Sequence, residues 1–174
     1  MPSYAPPQNL ATIADANERT SGRTASEELQ IVDETRFWST AESQYLTRSR
    51  IVEGLYDSLR MLEFVSNDWN SYGSPRPSTK AISVAGRMLN ALRDEVFLPK
   101  RVLPSAEGGV ALTFLSDTEN RAVIESLNNN ETFVLLYDRQ GNSETLDWSD
   151  SGPEQIQLLA RMKAHLQGAR LAGR

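Results

Sequence analysis

The chain has 174 residues, 18 Lys and Arg against 23 Asp and Glu, a formal net charge of −5 and 39% apolar residues, enough for one core of ordinary size and too much for a wholly disordered chain. It has no cysteine and a single histidine, His165, which excludes disulfides, thiolate metal sites, cysteine nucleophiles and multi-histidine metal centres. No apolar run approaches the ~18 residues of a membrane span, and Met1-Pro2-Ser3-Tyr4 lacks the basic start of a secretory signal, so a soluble, cytoplasmic protein with no membrane partner is expected.

Residues 1–25 read as a flexible leader. Pro2, Pro6 and Pro7 interrupt any helix, Thr20-Ser21-Gly22-Arg23-Thr24 is polar, and the segment has little apolar surface to offset its ordering entropy. It is either disordered or ordered by a partner. Order begins near Ser26, and Ser39-Thr40-Ala41-Glu42 has capping-box spacing. Beyond it Ile51, Val52, Leu55, Tyr56, Leu59, Leu62 and Val65 recur at intervals of three and four, the apolar face of a helix ending near Ser66. Phe37 and Trp38 precede that face, either as a staple onto the core or as an exposed pair.

A loop follows from Asn67 to Pro77, and Ser78 caps a second helix with Ile82, Ala85, Leu89, Leu92 and Val96 on one face, ended by Pro99. The pattern then changes to strands. Val110 to Leu115 alternates, placing Val110, Leu112 and Phe114 on one side, and Arg121 to Leu127 forms the next strand. Phe133 to Tyr137 is the most apolar strand and is expected at the centre; Glu144 to Trp148 closes the meander. The stretch Arg101 to Ala106, broken by Pro104, is a possible edge strand. Leu115, Val134 and Leu136 are expected on the face opposite Phe114 and Phe133, where a second copy of the chain could cover them. Ser151-Gly152-Pro153-Glu154 has the spacing of another capping box and opens a last helix with Ile156, Leu159, Met162 and Leu166 at helical spacing. The expected architecture is α+β: two N-terminal helices, an antiparallel four-stranded meander and a C-terminal helix, in a single domain over 26–170.

No Gly-x-Ser-x-Gly elbow accompanies His165, which reads as a half-exposed residue near a helix C-terminus. Glu107-Gly108-Gly109 lacks a following Gly-Lys-Ser/Thr and leads into a strand, so it is a hairpin feature and not a phosphate loop. Asp147 and Asp150 around Trp148 fit an exposed turn and a helix cap better than a cation site. No catalytic set, cofactor or metal site is expected. Arg48, Arg50, Arg76, Lys80, Arg87, Lys100 and Arg101 are dispersed among acids, so nucleic acid is not an expected partner.

The distinctive segment is Trp69-Asn70-Ser71-Tyr72-Gly73-Ser74-Pro75-Arg76-Pro77, a stiff loop joining the main helices. Aromatic side chains lose little rotamer entropy on binding, so Trp69 and Tyr72, with Phe37 and Trp38, are the candidate contacts for a partner protein. Their other reading is structural, with Trp69 and Tyr72 tucked under the sheet. A non-enzymatic protein that docks on another protein is the leading expectation, with self-association also open. Rivals are a hydrolase or nuclease using converging carboxylates, and a nucleic-acid-associated regulator with an arginine-lined face.

Trp69-Asn70-x-Tyr72-Gly73-x-Pro75, a Ser-capped helix, then Val102-x-Pro104-x-x-x-Gly108-Gly109-Val110-x-Leu112-x-Phe114 resembles a family of small uncharacterised bacterial proteins. These carry a Trp-Asp/Asn-x-Tyr-Gly loop, a short helix and a Gly-Gly lead into a β-meander; the resemblance covers about residues 67–148. It implies a fold and no catalytic residues. By association it implies an accessory protein of bacterial or mobile-element genomes, such as an inhibitor, antitoxin, immunity or counter-defence protein.

Overall fold

A computed structural model of the chain describes residues 25–168, with side chains from Glu42 onward. The leader expected over 1–25 lies, but for the backbone of Ala25, outside the described residues. The chain divides into two compact units, Met1–Thr47 and Arg48–Arg174. The first is described as helical backbone from Ala25, with exposed side chains from Glu42 to Thr47. That helix, α1, spans Ala25–Met61 and ends in a 3-10 turn over Leu62–Phe64. It runs unbroken through Ser39-Thr40-Ala41-Glu42, so the capping-box spacing there starts no helix. Ala41 and Glu42 are good helix formers, and no proline or glycine interrupts the turns before them.

In the second unit, Leu55, Leu59 and Leu62 are buried, whereas Ile51 is half exposed. The Tyr56 hydroxyl donates to Asn90 Oδ1 at 2.6 Å and Arg48 donates to the Arg93 carbonyl at 2.6 Å, fastening this stretch of α1 to α2 (Thr79–Asp94). The Ser78 hydroxyl accepts from Ala81 N–H at 3.1 Å, the expected N-cap. Ala81, Ile82, Ala85, Met88, Leu89 and Leu92 form the buried face of α2. Val96 does not join it: the helix stops at Asp94, and Val96 takes a left-handed φ of 56° with its side chain exposed. Phe97 N–H donates back to Leu92 O at 2.9 Å and Val96 N–H to Arg93 O at 3.1 Å, the pattern that satisfies the last helical carbonyls.

Five strands follow in chain order, β1 (Arg101–Pro104), β2 (Gly109–Leu115), β3 (Arg121–Leu127), β4 (Thr132–Tyr137) and β5 (Ser143–Asp147), each antiparallel to the next. The sheet thus has five strands where four are expected, because Arg101–Pro104 pairs with Val110–Thr113. The centre is β3 and not the more apolar β4. The registers Leu112↔Ile124↔Val134 and Phe114↔Ala122↔Leu136 put these residues on one face, where they form the core with α2 and with α3 (Gly152–Leu166). Val134 and Leu136 therefore share the face of Phe114, contrary to expectation, and Phe133 joins Leu115 on the other. An unbroken apolar run carries no alternation from which to read its facing.

On α3 the buried residues are Leu158, Leu159, Met162 and His165, while Ile156 is exposed. His165 is only 2% exposed, not half exposed as expected. Its Nε2 lies 3.0 Å from the Tyr137 carbonyl, which can only accept, so Nε2 carries the hydrogen. Asn120 Nδ2 donates to the His165 carbonyl at 2.6 Å, tying the end of α3 to the start of β3. Ser151 makes no side-chain cap; Ser149 instead binds the Glu154 carboxylate at 2.5 Å and accepts from Ser151 N–H at 3.1 Å. Among the described residues no helix is long and apolar enough to cross a membrane.

Candidate functional site

The loop between α1 and α2 is built almost entirely from its own polar side chains. Asp68, Ser71 and Gly73 take φ of 59°, 61° and 82°, a left-handed path for which Asp, Ser and Gly are the tolerated types. Asp68 N–H donates to Ser74 O at 2.8 Å and Gly73 N–H to Asp68 Oδ1 at 2.6 Å, closing the loop on itself. Asn70 works on both sides of its amide: Oδ1 accepts from Tyr72 N–H at 3.0 Å, and Nδ2 donates to Ser74 Oγ at 2.7 Å. At the base, Arg76 N–H donates to Asn67 Oδ1 at 3.0 Å.

The sheet holds this loop from beneath. Asn128, in the β3–β4 turn, accepts from Ser78 N–H at 2.7 Å and donates to the Arg76 carbonyl at 2.9 Å. Gly108 in the β1–β2 turn has φ +85°, and a Cβ there would stand 3.1 Å from Pro75 and 2.9 Å from Asn128 Nδ2. The glycine lets the turn lie directly under the prolines. Ser74 and Pro77 are buried, so the loop is packed at its base.

What this scaffold presents is aromatic. Tyr72 is 92% exposed and Trp69 37% exposed, so neither is tucked under the sheet. Before the loop, Met61 at the end of α1 and Phe64 in the 3-10 turn are also exposed, at 63% and 79%. Phe64 and Met61 escape a reading of the sequence because they sit off the Leu55, Leu59, Leu62 stripe, and it is their absence from that stripe that marks them as outward-facing. The side chains of Phe37 and Trp38 lie outside the described residues; of the four candidate contacts the structure describes Trp69 and Tyr72, both exposed on the one loop.

Among the described residues no three His, Asp or Glu side chains gather as a metal-ligand set. One carboxyl is raised above its usual range of 4.5: Glu125, chiefly by burial, with the Ser105 hydroxyl opposing the shift and the Glu107 charge adding to it. It sits mid-strand on a sheet face beside Ala111 and Phe133. Asp150 takes the Trp148 indole N–H at 2.9 Å. A groove of about 310 Å³ lies between α1 and β1, lined by Ile51, Leu55, Lys100 and Arg101 among others; no residue of the α1–α2 loop lines it. No family model, curated protein or solved structure matches the chain.

Proposed function

We propose that this protein is a non-enzymatic docking module that engages another protein through the tip of the loop between α1 and α2. The observation that carries the reading is Tyr72, almost fully exposed on a backbone fixed by the side chains of Asp68 and Asn70. An exposed aromatic on a mobile loop loses its binding energy to ordering; one on a fixed loop keeps it. With Trp69 on the same loop, the tip offers large aromatic side chains to a partner with an apolar pocket. An inhibitor, antitoxin or counter-defence protein would act in this way, by covering part of its partner's surface.

The test is affinity capture from the cells that make the protein, comparing the unaltered chain with Tyr72→Ala and Trp69→Ala. A co-purifying protein present in stoichiometric amount with the unaltered chain and lost with both variants supports the reading, provided thermal melting shows both variants folded. Capture that is indifferent to both substitutions contradicts it.

A further inference from the structure

The sheet has a second face that takes no part in the core. The core cluster shared with α2 and α3 contains Val110, Leu112, Ile124 and Val134, whereas Ala111 and Val123, though only 8% exposed, lie on the opposite face and outside that cluster. On the central strand this face reads Arg121, Val123, Glu125, with Val123 flanked by Thr113 on β2 and Leu135 on β4. Leu115 and Leu103 on the same face are 50% and 43% exposed.

The charges on that strand are placed symmetrically. Arg121 and Glu125 stand two residues to either side of Val123, each roughly 7 Å along the strand from it. Among the described residues neither forms an ion pair. Arg121 stacks its guanidinium 4.5 Å over the Tyr137 ring, and among the described residues the Glu125 carboxylate is bonded by the Ser105 hydroxyl alone, at 3.2 Å. A half-buried carboxylate without a cation and an arginine without an anion, spaced about an apolar residue, make a surface complementary to itself.

We propose that this face binds a second copy of the chain, the two sheets stacked about a two-fold axis that lies between them and crosses β3 at Val123. An axis perpendicular to the strands lays Val123 on Val123 and brings Arg121 of each copy to Glu125 of the other, giving two symmetric ion pairs in a contact closed by symmetry. An axis along β3 would set arginine on arginine and glutamate on glutamate, so the charges select the crossed arrangement. Stacked sheets sit about 10 Å apart and within about 30° of alignment, a gap and a rotation that an arginine side chain spans. Of the other charges, Arg101 on β1 and Asp147 on β5 are exposed on the edge strands, where water screens them. The exposed Glu107 of the β1–β2 turn adds its negative charge beside Glu125, at the end of the strand that meets the partner's Arg121.

The test is the solution mass of the full chain by light scattering, with the chain-length mass of 19.4 kDa as the reference. The unaltered protein is expected at twice that mass, Arg121→Glu and Glu125→Arg each at a single chain with association weakened about tenfold or more, and the double exchange restored to the dimer. Tyr72→Ala leaves the mass unchanged, which separates this face from the docking loop. A single chain at every concentration for the unaltered protein overturns the proposal. So does a dimer that survives both single exchanges, since its interface lies elsewhere. Should either single variant fail to fold, the double exchange decides: a folded dimer supports the proposal and a folded monomer overturns it.

Discussion

The side-chain amide of Asn128 accepts from the backbone N–H of Ser78 at 2.7 Å, across fifty positions of sequence. The same amide donates to the carbonyl of Arg76, so one residue of the β3–β4 turn holds both the end of the exposed loop and the start of α2. Asn128→Ala leaves a partly buried donor and an acceptor unpaired. The expected loss is about 1–3 kcal/mol in urea unfolding, accompanied by weaker capture of any partner that the loop binds. A variant as stable as the unaltered chain would show that the loop stands without its staple.

Two glycines of the sheet's hairpins differ in how tightly they are enclosed. A Cβ at Gly109, where φ is +132°, would overlap Ser126 O and stand 2.8 Å from Leu127 Cα, all backbone of the paired strand. Gly141 has a similar positive φ of +86° and open space around it. Gly109→Ala is therefore expected to cost more than about 3 kcal/mol or to prevent folding, and Gly141→Ala about 1 kcal/mol. Equal losses in thermal unfolding would contradict the geometry.

Val96 offers the opposite case. A β-branched residue at φ 56°, exposed beyond the end of α2, is strained without an apolar contact to compensate. Val96→Gly is expected to stabilise the protein by about 1 kcal/mol, read as a rise in unfolding midpoint with no change in denaturant dependence.

Much of this fold is legible in residue spacing, and the failures have definite causes. Val110, Leu112 and Phe114 alternate with Ala111 and Thr113 and reveal their face; Phe133 to Tyr137 do not alternate, and their facing is set only by pairing with β3. The edge strand Arg101–Pro104 is short and ends in proline, so the sequence offers it only as an option and its pairing with β2 establishes it. His165 follows Met162 by three positions and belongs to the buried stripe of α3, but a titratable side chain reads as polar until the Tyr137 carbonyl is seen beside it. The loop was visible through its Trp, Tyr, Gly and Pro residues. That Tyr72 points outward was not, because exposure there depends on the side-chain bonds of Asp68 and Asn70.

Glu125 gives the protein a pH signature. Its folded carboxyl is raised above 4.5, mainly by burial, so the folded state holds its proton more firmly than the unfolded chain. That contribution to stability is complete below 4.5 and lost as pH rises through the raised value. At concentrations low enough for a single copy, Glu125→Gln is expected to melt higher than the unaltered chain at neutral pH, the gap closing on acidification below 4.5. A gap independent of pH would place the cause elsewhere.

In the proposed function the Tyr72 tip touches another protein. A photoreactive phenylalanine analogue at position 72, compared with one at the exposed turn residue Arg139 in the β4–β5 connection, tests it directly in the cells that make the protein. A covalent adduct to a second, distinct protein is expected on illumination at position 72 and none at 139. No adduct at 72, or equal labelling at both positions, would contradict it.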